Sequence, residues 1–407
     1  MATILASAAT SILATIGKSI LSKGASYALE KGLVSISGGT ETDRIRKDIA
    51  NVLTEVHQIQ TSVEDLSTQL SSSLLQLRQD SLTVYITDIE TYYTTVSDIL
   101  QEAFELPSKK LPEAEHIKQG NALQNRLDSR LQASADTIPG YLDQMNAFLN
   151  QKGPTAFFKQ AAQQALDDSE DFLGYYTKTK VMALNYWIAY AKGISLLQMA
   201  QQAANVHFEE GSYTINRHNT NLELQQQNFE DTVGHSAIAL AEGIIANPEA
   251  EHPFIWRSTS NTYIQSFATV NDNWVRSNVE KPTASWLMKP RYPVAVNKFD
   301  LTGSYAVWVE PTDQPGHNLF LNGGSAAGLE TIFPLENADG GAWLIKPRYA
   351  GSDRFSFSFI SGYVGGLYNH YYIIDIDIGS GLRKLYYAKD LDKDDMNMFF
   401  NVTLGEL

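Results

Sequence analysis

Residues 172–208 read FLGYYTKTKVMALNYWIAYAKGISLLQMAQQAANVHF, and this stretch is apolar on nearly every face of a helix. Over residues 181–206 the only charged side chain is Lys192. A helix that is apolar all round lies either at the centre of a helix bundle or in a membrane. Lys192 and the nearby glutamines interrupt the run of about 18 to 20 apolar residues that a constitutive membrane span needs. We therefore expect this helix to be the hub of a bundle in water.

Helical patterns also fill the residues before this stretch. Residues 3–36 combine small apolar and hydroxyl side chains at a helical period, which predicts an amphipathic helix suited to a bundle or to a lipid interface. Apolar residues then recur at heptad spacing over residues 45–70, and a second seam follows over residues 85–103. Residues 155–208 and 216–246 continue the helical pattern. We expect long antiparallel helices that surround residues 172–208.

The composition changes after residue 251 to short alternating runs rich in aromatic residues and glycine, which predict strands. SWLMKPRY at residues 285–292 returns as AWLIKPRY 57 residues later, and one more step of that length leads from Trp343 to Phe400. Three equivalent strands at one period predict a threefold unit. A β-trefoil fits this pattern, although the period is long for that fold and the QxW signature is missing. A β-sandwich and a β-prism remain the alternatives.

These patterns predict an α+β chain of two domains. Residues 1–250 form a bundle of long helices, and residues 251–407 form an all-β domain with an internal repeat. The first is the candidate for membrane insertion and pore formation. The second is the candidate for binding a receptor or a glycan.

The charge balance of 31 basic and 46 acidic residues gives a net charge of −15, which argues against affinity for nucleic acid or for anionic lipid. The chain has no cysteine, so it has no disulfide and no thiol nucleophile. The N-terminus lacks the positive segment of a secretory signal. We expect a product that is made in the cytoplasm without a signal peptide, is then released or secreted, and acts at a target-cell membrane.

Catalytic signatures are missing from the sequence. There is no HExxH zinc motif, no nucleophile elbow and no phosphate-binding loop. Asp375 and Asp377 share one face of a predicted strand, where they could bind a sugar or face solvent, and we expect both carboxylates to face solvent. The sequence therefore predicts a protein that is not an enzyme and that needs no cofactor and no metal.

Aromatic residues are denser in the C-terminal part than the core of a small β domain requires. Exposed rings stack on sugar faces or pack on a protein receptor. Four residues are the candidate ligand-binding positions: Trp308, Tyr363, Tyr368 and Tyr371.

A long-helix bundle that contains an apolar helix and is followed by an aromatic β module is similar in layout to α-helical pore-forming toxins, such as the insecticidal crystal (Cry-type) toxins and the jellyfish toxins. The single β part departs from the two β domains of the crystal toxins. The resemblance implies that the β part binds a cell-surface glycan or protein receptor, and that a homo-oligomer inserts helices into the target membrane. The insertion candidates are Leu5, Ile12, Ile16, Ile20, Trp187, Ile188, Ile194 and Leu197.

A second hypothesis assigns the same elements differently. The β part would be the binding domain of a non-lytic lectin or adhesin, and the heptad seams would form a helical oligomerisation stalk. Release of dye from vesicles or cells distinguishes the two hypotheses, because only the toxin permeabilises a membrane.

Overall fold

A computed structural model describes residues 79–106, 109–203, 205–248, 250–266, 275–291, 305–322, 328–332, 343–364, 367–380, 382–389 and 398–406 of the chain. The chain is α+β, with helices in its N-terminal half and a large antiparallel sheet in its C-terminal region. It divides into two compact units. The helical unit comprises Met1–Phe158 and Lys180–Phe229, and the sheet unit comprises Lys159–Thr179 and Glu230–Leu407.

The change from helix to strand occurs between Ala246 and His252, close to the expected position. The compact units do not divide there, because residues 159–179 and 230–246 belong to the sheet unit although they are largely helical. The separate roles assigned to residues 1–250 and 251–407 stay predictions. The amphipathic helix over residues 3–36 and the heptad seam over residues 45–70 lie outside the described residues.

The helices of the described residues follow the predicted hydrophobic pattern. Along the first of them, Ile89, Val96 and Ile99, which lie in the predicted seam of residues 85–103, are buried, and Tyr93 is buried in the same stripe. This stripe follows the period of 3.6 residues, which a helix needs to bury one face. The helices are α1 (Gln79–Glu105), α2 (Glu113–Leu149), α3 (Phe157–Asp167), α4 (Phe172–Gln202), α5 (Gly211–Val233) and α6 (His235–Ala246).

A short break separates α3 from α4, where the sequence pattern predicts a continuous helix. Asp171 Oδ1 accepts hydrogen bonds from the backbone N–H groups of Leu173 and Gly174, both at 2.9 Å. These bonds satisfy two of the free N–H groups at the start of a helix, so Asp171 is the N-cap of α4. Asp171 Oδ2 accepts a third bond from the N–H of Tyr305 at 2.7 Å, which joins the helix start to the strand region within the sheet unit.

A second break separates α5 from α6 at Gly234. This residue has φ of 100°, a left-handed conformation that glycine adopts without a steric penalty. A Cβ at this position would also lie 3.2 Å from the carbonyl carbon of Gly351. Both the backbone angle and the close approach therefore require glycine here.

The strands of the described residues are β1 (His252–Arg257), β2 (Tyr263–Ser266), β3 (Val275–Val279), β4 (Trp286–Arg291), β5 (Ala306–Pro311), β6 (Asn318–Asn322), β7 (Gly328–Ile332), β8 (Trp343–Pro347), β9 (Arg354–Val364), β10 (Leu367–Gly379), β11 (Leu382–Lys389) and β12 (Phe400–Leu404). Six of them pair in a closed ring: β1 pairs with β4, β4 with β5, β5 with β8, β8 with β9, β9 with β12, and β12 with β1, all antiparallel. Three further pairs, β2–β3, β6–β7 and β10–β11, are antiparallel hairpins.

Aromatic side chains fill the core enclosed by the six paired strands. Trp286, Trp343 and Phe400, the three residues related by the 57-residue period, begin β4, β8 and β12 and are fully buried. Trp256 stacks on Phe357 with 4.5 Å between the ring centroids. The 57-residue repeat therefore places these three residues at equivalent core positions in β4, β8 and β12.

The indole N–H groups of the core are not equivalent. Trp286 Nε1 donates to the carbonyl of Ile264 in β2 at 2.7 Å, and Trp343 Nε1 donates to the carbonyl of Leu319 in β6 at 3.1 Å. Trp256 Nε1 is buried and has no hydrogen-bond acceptor among the described residues. In two of the repeats, an indole hydrogen bond therefore connects the hairpin, β2–β3 or β6–β7, to the core.

We expect Trp286→Phe to destabilise the sheet unit more than Trp256→Phe, by about 1–2 kcal/mol. Both changes remove similar volume from the core, but only the first leaves a buried carbonyl without its donor. The free energy of unfolding in urea, followed by tryptophan fluorescence of the full chain, measures the difference. Equal losses for the two variants would contradict this role for the indole bond.

Candidate functional site

Helix α4 is buried on all of its faces within the helical unit. Among the described side chains of residues 181–200, only Gln198 is not fully buried. The insertion candidates of this helix are therefore core residues in the structure: Trp187, Ile188, Ile194 and Leu197 are each at most 5 % exposed. The other insertion candidates, Leu5, Ile12, Ile16 and Ile20, lie outside the described residues.

Different neighbours cover different faces of α4. The ring of Trp187 makes edge contacts with Phe158 and with Phe229 of α5, at centroid distances of 6.3 and 5.2 Å. On another face, Gly193 lies directly against α2, where an added Cβ would come within 2.8 Å of Leu142 Cδ2. The expectation that residues 172–208 form a bundle hub is met by residues 181–200, which are buried and lie inside the helical unit.

An ion pair neutralises Lys192, the only charged side chain of residues 181–202. Lys192 Nζ lies 2.6 Å from Glu90 Oε2 of α1, and the two side chains are 5 % and 26 % exposed. The ammonium also lies 5.2 Å from the centroid of the Tyr93 ring, a cation–π distance. Burial and the nearby Glu90 raise the pKa of Tyr93 to about 12, so its hydroxyl stays neutral beside the pair. A buried ammonium is tolerated in an apolar core only because these partners compensate its lost hydration.

A buried histidine connects α4 to α5. His218 Nδ1 lies 3.0 Å from the hydroxyl of Tyr190, and the guanidinium of Arg217 lies 3.4 Å from His218 Nε2. Because arginine only donates, Nε2 is the acceptor and the proton of the neutral ring lies on Nδ1. Burial lowers the pKa of His218 to about 4, against the attraction of Asp143, and the charge of Arg217 lowers it further. Sequence patterns gave no signal for this pair, since neither residue belongs to a recognisable motif.

The candidate ligand-binding residues lie on two separate parts of the sheet. Trp308 is half-buried in β5, opposite Lys289 of β4, while its neighbours Val307 and Val309 are buried. Tyr363 lies at the end of β9, and Tyr368 and Tyr371 lie in β10.

The backbone brings the three tyrosines onto one hairpin. The pairing of β9 with β10 is irregular next to Tyr368, between Leu367 and Asn369, and is regular again where Tyr371 faces Phe359. Irregular pairing of this kind occurs often near functional sites. Trp308 does not join them by strand pairing, because β5 pairs with β4 and β8.

The expectation that Asp375 faces solvent is wrong. Its carboxylate is buried and accepts two bonds from Nε of Arg383, both at 3.1 Å, and one from the hydroxyl of Ser277 in β3. Three strands, β3, β10 and β11, bring these groups together, and their alignment is not visible in the local sequence. Asp377 is exposed, as expected, and accepts a bond from the N–H of Gly379 at 2.8 Å.

Neither known families nor a metal site identifies the function. No protein-family model matches the chain, and no curated protein is significantly similar to it in sequence. Among the residues that the structure describes, no three histidine, aspartate or glutamate side chains are grouped so that they could hold a metal ion. No helix in this part of the chain is both long enough and apolar enough to cross a membrane.

We expect Glu90→Leu to destabilise the helical unit by about 3 kcal/mol, because it leaves the buried ammonium of Lys192 without its carboxylate. Glu90→Leu combined with Lys192→Met should recover most of this loss, since no buried charge remains. Urea unfolding of the full chain, followed by far-UV circular dichroism, measures both variants. A double variant as unstable as Glu90→Leu alone would show that the pair does not act as a unit.

The helical unit should lose stability in acid through His218. Its folded pKa of about 4 lies below the ordinary value of 6.5, so the unfolded chain binds a proton more readily than the folded chain. The stabilisation is therefore complete above about pH 6.5 and is lost as the pH falls toward 4, by roughly 2–3 kcal/mol in total.

The matched variant is His218→Gln, which keeps hydrogen-bonding groups but does not titrate in this range. We expect its unfolding free energy to fall less between about pH 7 and pH 4 than that of the wild type. Identical pH profiles for the two proteins, measured by urea unfolding at each pH, would exclude His218 as the source of acid sensitivity.

Proposed function

We propose that the protein is a pore-forming toxin that binds a cell-surface receptor or glycan through its β domain and inserts helices into the target membrane. The single observation that carries this proposal is the burial of residues 181–200 of α4 on every face of the helix, with the one cation of this stretch, Lys192, neutralised by Glu90. Such a helix is stable in water only inside a bundle, and a membrane offers its apolar faces an alternative partner. The protein acts without catalysis on this proposal.

The side chains around α4 support a role in release of the helix. The contacts that fix it include a charged pair and a buried neutral histidine beside the charged residues Arg217 and Asp143. Ion pairs and hydrogen bonds weaken when the local environment becomes polar, whereas purely apolar contacts do not. A bundle that must open at a membrane needs contacts that depend on the local environment in this way.

We further propose that the β domain is a β-trefoil. Its support is the closed ring of β1, β4, β5, β8, β9 and β12 together with the three hairpins β2–β3, β6–β7 and β10–β11. A β-sandwich has no such closed ring of six strands. The aromatic residues Trp308, Tyr363, Tyr368 and Tyr371 then lie on a fold whose hairpins and loops suit the binding of sugars or of a protein receptor.

The same β domain suits the alternative of a non-lytic lectin or adhesin. The buried ion pair between Lys192 of α4 and Glu90 favours the toxin. An oligomerisation stalk has no need of a buried apolar helix that is held in place by an ion pair. Vesicle and cell permeabilisation decides between the two functions.

We expect the wild-type protein to release dye from lipid vesicles or from receptor-bearing cells. A covalent cross-link between α2 and α5 should prevent this release. Asp143 of α2 and Arg217 of α5 form a 3.0 Å ion pair at the surface, and the chain has no native cysteine. A short, reducible cross-linker between Asp143→Cys and Arg217→Cys would hold together two helices that contact α4. Dye release should fall to background and return after reduction.

The control places the cross-linker within one helix. Gln101 and Glu105 are one turn apart in α1 and are joined by a 2.7 Å hydrogen bond, so Gln101→Cys with Glu105→Cys adds the same chemistry without joining two helices. This variant should release dye with and without reduction. Absence of dye release by the wild type from vesicles and cells, at acid and neutral pH and after proteolysis, would refute the proposed function.

A further inference from the structure

The third hairpin of the sheet unit consists of two long strands. β10 has 13 residues and β11 has 8. Pairing continues along β10 and β11 as far as Gly379 and Leu382, next to the turn, with a register shift between Asp377 and Gly379.

The tip of this hairpin exposes aliphatic side chains. Ile378 is 51 % exposed and Leu382 is 40 % exposed, on either side of the turn. By strand alternation Leu382 shares a face with the half-buried Lys384 and Tyr386, and Ile374 shares it with Ile376, while Ile378 lies at the register shift next to them. We define the outer hairpin face as Ile374, Ile376 and Ile378 of β10 with Leu382, Lys384 and Tyr386 of β11.

A buried polar cluster lies on the other side of the sheet from the aliphatic tip. On the inner side, Asp375 is buried with Arg383 and Ser277 as its partners, next to the buried Ile373 and Leu385. The outer side carries Ile376 opposite Lys384, and the exposed Ile378. Exposed aliphatic side chains grouped at the end of a hairpin indicate a surface that meets an apolar environment at some stage.

Cations border the aliphatic tip. Lys384 lies in register with Ile376 on one neighbouring strand and with Arg276 on the other, so two cations lie side by side next to the isoleucine. The Lys384 ammonium lies 5.7 Å from the centroid of the Tyr386 ring on the same strand. An aliphatic tip followed by a pair of cations and a tyrosine matches the layers of a lipid interface, where acyl chains lie below phosphates.

We propose that the outer hairpin face docks the sheet unit on a zwitterionic lipid surface, with Ile378 and Leu382 among the acyl chains and Lys384 and Arg276 at the lipid phosphates. This inference deepens the proposed function and rests on it, because it names the membrane as a direct partner of the β domain. The net charge of −15 disfavours an anionic surface, so the lipid is one without net charge. A glycan accounts for the tyrosine and the cations but not for the aliphatic tip.

The test compares two double variants of the full chain. Ile378→Asn with Leu382→Asn removes the aliphatic tip, and Ile117→Asn with Leu224→Asn removes side chains of matched exposure, 48 % and 46 %, from the helical unit. Binding to phosphatidylcholine vesicles is measured by flotation. We expect the tip variant to bind at least about fivefold more weakly than the wild type, and the control variant to bind like the wild type.

A fluorescent label reports the contact directly. The chain has no cysteine, so a polarity-sensitive dye on Ile378→Cys reports one position only, and the same dye on Ile117→Cys is the control. With phosphatidylcholine vesicles, emission from position 378 should shift to the blue, and emission from position 117 should not.

Several results would overturn the docking surface. These are a wild type that does not bind phosphatidylcholine vesicles, equal binding of the two double variants, or no spectral shift at position 378. A tip variant that keeps its vesicle binding but loses self-association or the binding of soluble glycans would also overturn it. That result would show that the face contacts another copy of the chain or a sugar.

If the tip variant binds normally and still releases dye, the docking surface is wrong and the proposed function stands. If the wild type binds through the tip without dye release from any membrane, the docking surface stands and the proposed function fails.

Discussion

Helix α4 has to be kept out of water, and the arrangement of the helical unit follows from that requirement. Each large side chain that it buries contributes about 1.5–3 kcal/mol, so the helix is stable only while all of its faces are covered. One neighbouring helix alone covers a single stripe, which is why α1, α2 and α5 all contact it. The cost of this arrangement is the burial of Lys192, and Glu90 and Tyr93 compensate it.

The sheet unit meets a different requirement, the closure of a ring of strands around large aromatic rings. Flat rings at one level of three successive repeats fill the space that a twisted, closed sheet leaves at its centre. The indoles of Trp286 and Trp343 also fix the hairpins of their own repeats, whereas Phe400 has no N–H to donate. The third repeat therefore lacks an indole link of this kind between Phe400 and its hairpin β10–β11.

The parts of the fold that the sequence predicted are those encoded by a period. The lack of any polar face in residues 181–200 predicted a buried helix, and the 57-residue repeat predicted that Trp286, Trp343 and Phe400 occupy equivalent strands. Single contacts between distant residues have no period. Asp171 was therefore missed as a helix cap, and Asp375 was misplaced, since its partners Ser277 and Arg383 become neighbours only through strand pairing. The pair of His218 and Tyr190 was hidden for the same reason.

The close contact at Gly193 limits how α4 moves along its own axis. Leu142 and Ile138 of α2 are fully buried and occupy the space that any side chain at this position would need. A shift of α4 by one turn would bring Ala189 or Leu197 to this point, and the side chain of Leu142 would have to move to accommodate the added Cβ. Helix α4 therefore fits most closely against α2 in its present axial register.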